Sequence, residues 1–487
     1  MKNPEDDVVL RLNESLRPAG RTPFEVPRVG WITAWISIGC LVLALAASPR
    51  PAHAAEPVFS LDPVRVGVLL GAATNGTVAR LRLAEMCDTF GPRFSGSTNL
   101  EGAIDWILAR LREDGFENVR GEPVKVPHWE RGEEWLEQVE PVPMRMPVLG
   151  LGGTTNTPVD GITARVLVVT NFAELESRAA EARGRIVVFD APFTAYGETV
   201  RYRGAGGSAA AKVGAVASLV RSITPFSLQT PHTGMMSYEA GTARIPHAAM
   251  TVEHAERMRR LQERGIPVTL RLRLGARQWP DADSRNVVAE IRGREHPEEI
   301  IVVGGHIDSW DVGQGALDDG GGCLAAWEAL RLIKTTGIAP RRTLRLVLWV
   351  NEENGLAGAK AYPRQHADEL ARHVLAVESD WGIGPVQGFA FTGSGRANEQ
   401  LKALLPWLGL IGAGQIKAGA GGSDLGPLLH EGVPTMDLWT DKRDYFWFHH
   451  TAADTVDKVD PGELNRCVAA LAVMLYGVAE MPEALAR

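Results

Sequence analysis

The residues of this chain best suited to chemistry are imidazoles and carboxylates, and they fall in short glycine-rich clusters in its second half. His306 and Asp308 stand in Gly304-Gly305-His306-Ile307-Asp308, Asp318 and Asp319 follow twelve residues after His306, and Glu352-Glu353, Asp380 and His449-His450 come later. Nitrogen and oxygen donors of this kind suit zinc, whose catalytic sites keep a position open for water. Asp318 can turn both oxygens outward and bridge two cations. Asp319, beside it and just before a helix, reads as an N-cap with a favourable dipole interaction. Asp308 is placed to orient His306 from behind. The pair Glu352-Glu353 can divide its work between a metal ligand and a general base. His449 and His450 lie in an aromatic run (Tyr445, Phe446, Trp447, Phe448) that by itself reads as packing more readily than as pocket lining. His232, His247 and His254 are isolated and read as ordinary surface or core histidines.

These residues need a scaffold that brings them to one place. After Asp281 the pattern is strand, helix, strand, helix. Strands are expected at Asn286–Ile291, Ile300–Val303, Leu346–Val350 and Val374–Val377, with a less regular one at Thr435–Leu438. Continuous apolar strands alternating with helices imply a sheet buried on both faces. The helix at Cys323–Lys334 shows one face of Cys323, Ala326, Trp327, Leu330 and Ile333, and a long amphipathic helix from Pro461 closes the region. His306 and Asp308 follow one strand, Glu352 and Glu353 a second, and Asp380 a third. The carboxyl ends of strands in open α/β sheets form the ligand crevice, so three strands deliver these groups to one rim.

Upstream the texture differs. From Glu56 to Pro127 the chain reads as helical with one strand, its amphipathic helix Glu101–Leu111 stopping near Gly115. Between Glu140 and Gly275 short β-branched runs (Ala164–Thr170, Arg185–Phe189) precede a small-residue helix expected at Gly207–Val220. This looks like a β-rich module in which no cluster of chemically capable residues stands out.

Composition narrows the classes. A chain of 487 residues that is 45% hydrophobic is long enough for two domains. A net charge of −8 without a basic tract excludes a phosphate-binding surface, so nucleic acid is not an expected partner. Of the cysteines, Cys40 falls in the leader, and Cys87, Cys323 and Cys467 can form neither a paired disulfide framework nor a Cys-x-x-Cys zinc site. Any metal must be held by histidine and carboxylate. The apolar stretch Trp31–Ala47, preceded by Arg17, Arg21 and Arg28 and followed by Ala52-His53-Ala54, reads as a secretory signal peptide cut near Ala54. The protein is therefore expected to be exported, to a periplasmic or extracellular location, with a retained membrane anchor as the alternative. No stable membrane span is expected after processing.

At the segments GGHIDSWDVGQGALDDGGG (304–322), RRTLRLVLWVNEENG (341–355), ESDWG (378–382) and YFWFHHTAADT (445–455), the sequence resembles the M28 family of co-catalytic zinc peptidases, within it the carboxypeptidase Q group; FGPRFSGS (90–97) is similar to that family's early segment. The resemblance implies a mixed, mostly parallel α/β sheet flanked by helices, of zinc-exopeptidase type, with an inserted β-rich protease-associated-type domain. The division it suggests is a signal peptide at 1–54, peptidase segments at 55–139 and 278–487, and the insert at 140–277. It further implies two zinc ions per chain, held by His306, Asp318 (bridging), Glu353, Asp380 and His450, with Glu352 as general base. His449 stands where many aminopeptidases of the family carry a tyrosine that steadies the oxyanion, and an imidazole can do the same. The implied reaction is hydrolysis of a dipeptide or short peptide with free termini, and a homodimer is what the subgroup suggests. An aminopeptidase acting on longer peptides is the nearest rival. Glutaminyl cyclisation sits poorly with paired ligands, and a non-catalytic binding module predicts eroded ones. The glycine-rich loop Gly419–Leu425 offers backbone N–H groups to a substrate carboxylate, or is a plain tight turn.

Overall fold

A computed structural model describes residues 59–419 and 422–487; the signal-peptide reading lies outside these residues. Two eight-stranded sheets organise them. The first runs in the spatial order Glu117–Glu130, Arg277–Ile291, Arg342–Trp349, His296–His306, His373–Glu378, Thr435–Thr440, Val386–Thr392 and Gln415–Ala418. Its four middle strands, from Arg342–Trp349 to Thr435–Thr440, are mutually parallel, and antiparallel pairings flank them on both sides. The fold is thus the expected mixed α/β type.

The middle strands are apolar along their length because both faces are covered. Arg342–Trp349 and His373–Glu378 are buried at every position. Helices Gly321–Thr335 and Pro461–Glu480 pack with Val66, Leu69, Leu83, Ile104 and Ile107 of the amino-terminal helices into one large core. Pro461–Glu480 is apolar and long enough to cross a bilayer, but most of it is buried in this core. Asp460 caps it, its carboxylate accepting from Glu463 N. The third amino-terminal helix, Thr98–Glu113, starts at a Ser97 cap whose hydroxyl accepts from Leu100 N at 3.2 Å.

The second sheet draws its strands from residues 134–274, in the order Met144–Met146, Glu134–Glu140, Thr269–Leu274, Ile162–Val169, Ile186–Phe189, Ala217–Arg221, His247–Met250, Val148–Gly150. The chain leaves the first sheet along Glu117–Glu130 and returns along Arg277–Ile291. These two strands pair antiparallel from Glu117↔Glu290 to Glu130↔Arg277, a ladder that closes the excursion at its base. The small-residue helix ends earlier than its composition suggests. It spans Arg201–Lys212, Gly214 turns the chain at φ +81°, and Ala217–Arg221 is a strand. A glycine in the left-handed region terminates the helix, and the β-branched Val216 and Val220 bracket residues that extend the parallel ladder beside Ile186–Phe189.

Candidate metal centre and active site

The rim forms where the parallel strands end. His306 is the last residue of its strand and pairs with Trp349 of the neighbouring one. Its backbone N–H donates to Asp319 Oδ2 at 3.2 Å, while Asp319 Oδ1 accepts from Gly322 N, so Asp319 ties the strand end to the start of the following helix. Gly305 makes this possible: a Cβ there would lie 2.0 Å from Asp319 Oδ2. Asp308 orients His306 through its main chain, accepting from His306 Nδ1 at its carbonyl at 2.9 Å, whereas its carboxylate stays 4.0 Å from that nitrogen. That carboxylate instead accepts from the backbone N–H of Glu352 (3.0 Å) and Glu353 (3.4 Å), which locks the two strand ends together.

The expected residues converge. His306 Nε2 stands 3.3 Å from Asp318 Oδ1 and 3.4 Å from Asp380 Oδ1. His450 Nε2 stands 3.2 Å from the other oxygen of Asp318, Oδ2, and 3.0 Å from Glu353 Oε2. Asp318 therefore divides its oxygens between two donor sets. His449 lies parallel to His450, with ring centroids 3.5 Å apart, and its Nε2 is 3.5 Å from Asp318 Oδ2. Asp318, Asp380, Glu352, Glu353, His449 and His450 all line one cleft of about 350 Å³. His306 is buried beside Asp318 and Asp380 and does not itself line the cleft.

Charge at this rim is unbalanced. Burial opposes protonation of His306, yet Asp380 and Asp318 outweigh it and hold its pKa well above the ordinary imidazole value. Burial likewise opposes protonation of His450, and Glu353 and Asp318 override it. Burial pushes Glu353 up to about 8 and Asp380 up to about 6. Burial and the charge of His450 hold the pKa of His449 well below the usual imidazole range, which favours the neutral ring. Among the described residues, Asp318 Oδ2 and Glu353 Oε1 are buried without a hydrogen-bond partner. Carboxylates that are buried, crowded and short of donors favour a cation. The donor spacings of 3.0–3.4 Å also match the edge of a tetrahedron, about 3.4 Å, around an ion with bonds of about 2.1 Å. The residues present fit a metal pair.

The second-sheet region, in which no chemically capable cluster stood out from sequence, takes part directly. Tyr196 and Arg203 line the same cleft. His450 adopts φ +62°, a left-handed conformation that costs a non-glycine residue about 1 kcal/mol. The turn is clamped from outside. Thr233 N donates to His450 O at 3.0 Å, and His450 Nδ1 lies 3.2 Å from Thr233 O. His232 Nδ1 reaches His449 O at 2.8 Å, and Thr224 Oγ1 donates to Phe446 O at 2.7 Å. His232 is thus no isolated core histidine. His247 and His254 are: both are buried and bond within their own region, to Ser218 and Thr251. The aromatic run divides between two tasks, with Tyr445 and Phe446 lining the cleft and Trp447 packed on Phe226 at 4.5 Å. In the glycine-rich loop, Gly422 N–H is given to Asp437 Oδ1, while Gly422 and Ser423 border the cleft. Trp381 and Lys442 also line it and were not singled out from sequence. Their one sequence signal is position, beside Asp380 and just before the aromatic run.

A mixed α/β sheet with histidine and carboxylate converging at the carboxyl ends of its parallel strands defines a metal-dependent hydrolase. Comparison with known proteins narrows the class. A family model described as peptidase family M28 matches residues 286–475. The chain is 49% identical over 417 residues to a carboxypeptidase Q of Xenopus laevis, covering 86% of this chain and 88% of that protein. It also superposes on the crystal structure of a peptidase M28 precursor from Shewanella amazonensis with a TM-score of 0.82 and 34% identity, over 87% of this chain and 98% of the other. A zinc aminopeptidase from Bacillus subtilis shares the fold at 18% identity and a TM-score of 0.64, over 83% and 95% of the two chains. The chain belongs to peptidase family M28 and is a metallopeptidase of the carboxypeptidase Q type.

Proposed function

We propose that the protein is a co-catalytic two-zinc exopeptidase that hydrolyses dipeptides or short peptides. The observation that carries the reading is Asp318, whose two oxygens face separate imidazole–carboxylate sets. His306 and Asp380 would hold one ion, Glu353 and His450 the other, and Asp318 both. Zinc is the metal named for the Bacillus subtilis relative in fold, and nitrogen–oxygen donors without cysteine suit it. When bound, the ions would polarise the scissile carbonyl and lower the pKa of water between them. Glu352 borders the cleft and its backbone N–H is held by Asp308, which supports it as the base that would take a proton from water and return it to the leaving amine. Neutral His449, stacked on His450, is placed to donate to a developing oxyanion.

Short substrates are supported by the size of the cleft. About 350 Å³ is near the lower end of small-ligand sites, which run from about 300 to 1,000 Å³, and Tyr196 and Arg203 wall one side. An insert of protease-associated type, residues 140–277, would then serve as that wall. Export after removal of the leader belongs to the same reading.

Metal analysis together with Glu352→Gln tests it. The wild-type protein should carry close to two zinc ions, and chelation should abolish dipeptide cleavage. Glu352→Gln should keep the zinc and lose about 10²- to 10⁴-fold in kcat. Full activity in that variant would remove Glu352 from the role of base, and a single ion at saturation would overturn the paired site.

A further inference from the structure

The cleft contains a cation that metal binding and the clamp leave without a task. Lys442 lies between the strand Thr435–Thr440 and the aromatic turn at Tyr445–Phe448, and it lines the cleft with Asp380, Trp381 and Ser423. Its ammonium sits over the Trp381 indole and 5.8 Å from the Phe446 ring centre. Among the described residues it has no carboxylate partner within ion-pair distance, whereas the adjacent Arg443 is exposed and paired with Asp441 at 2.7 Å. The other cation of the lining, Arg203, is tied to the wall through both terminal nitrogens, only its Nε lacking a partner among the described residues. Its Nη2 donates to Tyr196 Oη at 2.8 Å and its Nη1 to Thr233 O at 3.2 Å, and Gly234 packs directly against its guanidinium.

Lys442 is also held at a cost. Burial pushes its pKa down to about 7; Asp380 opposes this, and the second lysine beside Trp381, Lys417, adds to it. An aromatic face compensates an ammonium only in part, so an incoming anion gains more here than at a solvated lysine. A peptide whose carbonyl lies against the Asp318–Asp380 rim presents its carboxyl terminus within the same small cleft.

We propose that Lys442 is the residue that binds the α-carboxylate of the substrate and so carries the preference for a free carboxyl terminus. The inference rests on the peptidase reading above and adds to it the recognised end. A chain continuing past the leaving residue would bring a neutral amide to the ammonium in place of a carboxylate.

The test compares hydrolysis of a dipeptide with that of its carboxyl-terminal amide by the zinc-loaded protein. Wild type should prefer the free acid by about 10- to 100-fold in kcat/KM, the range expected for a charged hydrogen bond. Lys442→Met and Lys442→Gln should lose most of that preference through a rise in KM for the acid, with a much smaller change on the amide, while zinc content stays constant. Lys442→Arg should recover part of it. Equal cleavage of acid and amide by wild type, or an undiminished preference in both neutral variants, overturns the role of Lys442 and leaves the peptidase reading intact. A zinc-loaded wild type that hydrolyses neither compound overturns the peptidase reading and this inference with it.

Discussion

The two sheets meet at one cleft but contribute to it by different means. The first sheet supplies side chains: His306, Glu353 and Asp380 lie at or just beyond its strand ends and Asp318 in the turn that opens the helix Gly321–Thr335, so their chemistry depends on residue type. The second-sheet region supplies mostly position. It holds the His449–His450 turn through the main chain of Thr233 and the imidazole of His232, and it walls the cleft with Tyr196 and Arg203. A donor to a metal must be one of a few residue types, whereas a backbone carbonyl that orients such a donor can belong to almost any residue. The contrast explains why one region can be read from sequence and the other cannot.

The contrast can be tested, beginning with the largest effect. His450→Ala removes a donor of the first kind. If the proposed zinc pair is present, the variant should lose close to one ion and nearly all activity, while His449→Ala should keep the zinc content of wild type and lose about 10²-fold in rate, as for a missing oxyanion donor. Metal analysis of the two purified variants distinguishes them, and equal zinc loss would reassign the ligand. His232→Ala acts from the other region. Loss of an orienting partner typically weakens metal affinity by about 10- to 100-fold, and competition with a chelator should show a change near the lower figure. Thr233→Ala keeps both main-chain contacts and should change affinity less than His232→Ala. A Thr233→Ala effect as large as that of His450→Ala would erase the distinction between donors and clamps.

The smallest expected effect lies at the opposite end of the first sheet. There His366 bonds Glu369 Oε1 at 2.6 Å and Glu122 Oε2 at 3.0 Å, near Arg345. Burial opposes its protonation, but Glu122 and Glu369 prevail and raise its pKa above the ordinary imidazole value. A raised value in the folded state adds stability that is complete below the ordinary imidazole pKa of about 6.5 and is lost as pH rises through the folded value. Thermal unfolding should therefore show Tm falling from about pH 6 to pH 9 in wild type, with a flatter profile and a Tm lower by about 2–4 °C at pH 6 in His366→Gln. Peptidase activity at a fixed temperature well below Tm should be unaffected, because the cluster is built around the amino-terminal half of the Arg342–Trp349 strand and the cleft lies at the carboxyl end.

Much of the first sheet was legible in the chain itself. Three apolar strands of four or five residues, each followed closely by a histidine or acid, located the rim because strand ends and ligand crevices coincide in α/β folds. The structure extends those strands by a few residues, so that His306 lies within its strand and not beyond it. The helix expected at Gly207–Val220 divided into a helix and a strand, since small residues do not distinguish the two and Gly214 carries the turn. Asp308 was expected to orient His306, and in the structure the Asp308 atom that meets the imidazole is a carbonyl oxygen, which no residue type announces.

The residue types and spacings of the chain by themselves determined an α/β sheet, a rim of imidazole and carboxylate, and a family whose motifs lie in the right order. Only the tertiary structure decided which atoms face each other. It set Asp318 between two donor sets, gave the His449–His450 turn its external clamp, and brought Tyr196, Arg203 and Lys442 to a cleft whose lining spans residues 196 to 450. The physical reason is the range of the interactions. Periodicity and strand-end chemistry are local and leave a pattern in neighbouring residues. A main-chain hydrogen bond from Thr233 to His450, or a lysine seated on an indole, arises only when distant segments pack, and it marks no neighbouring residue.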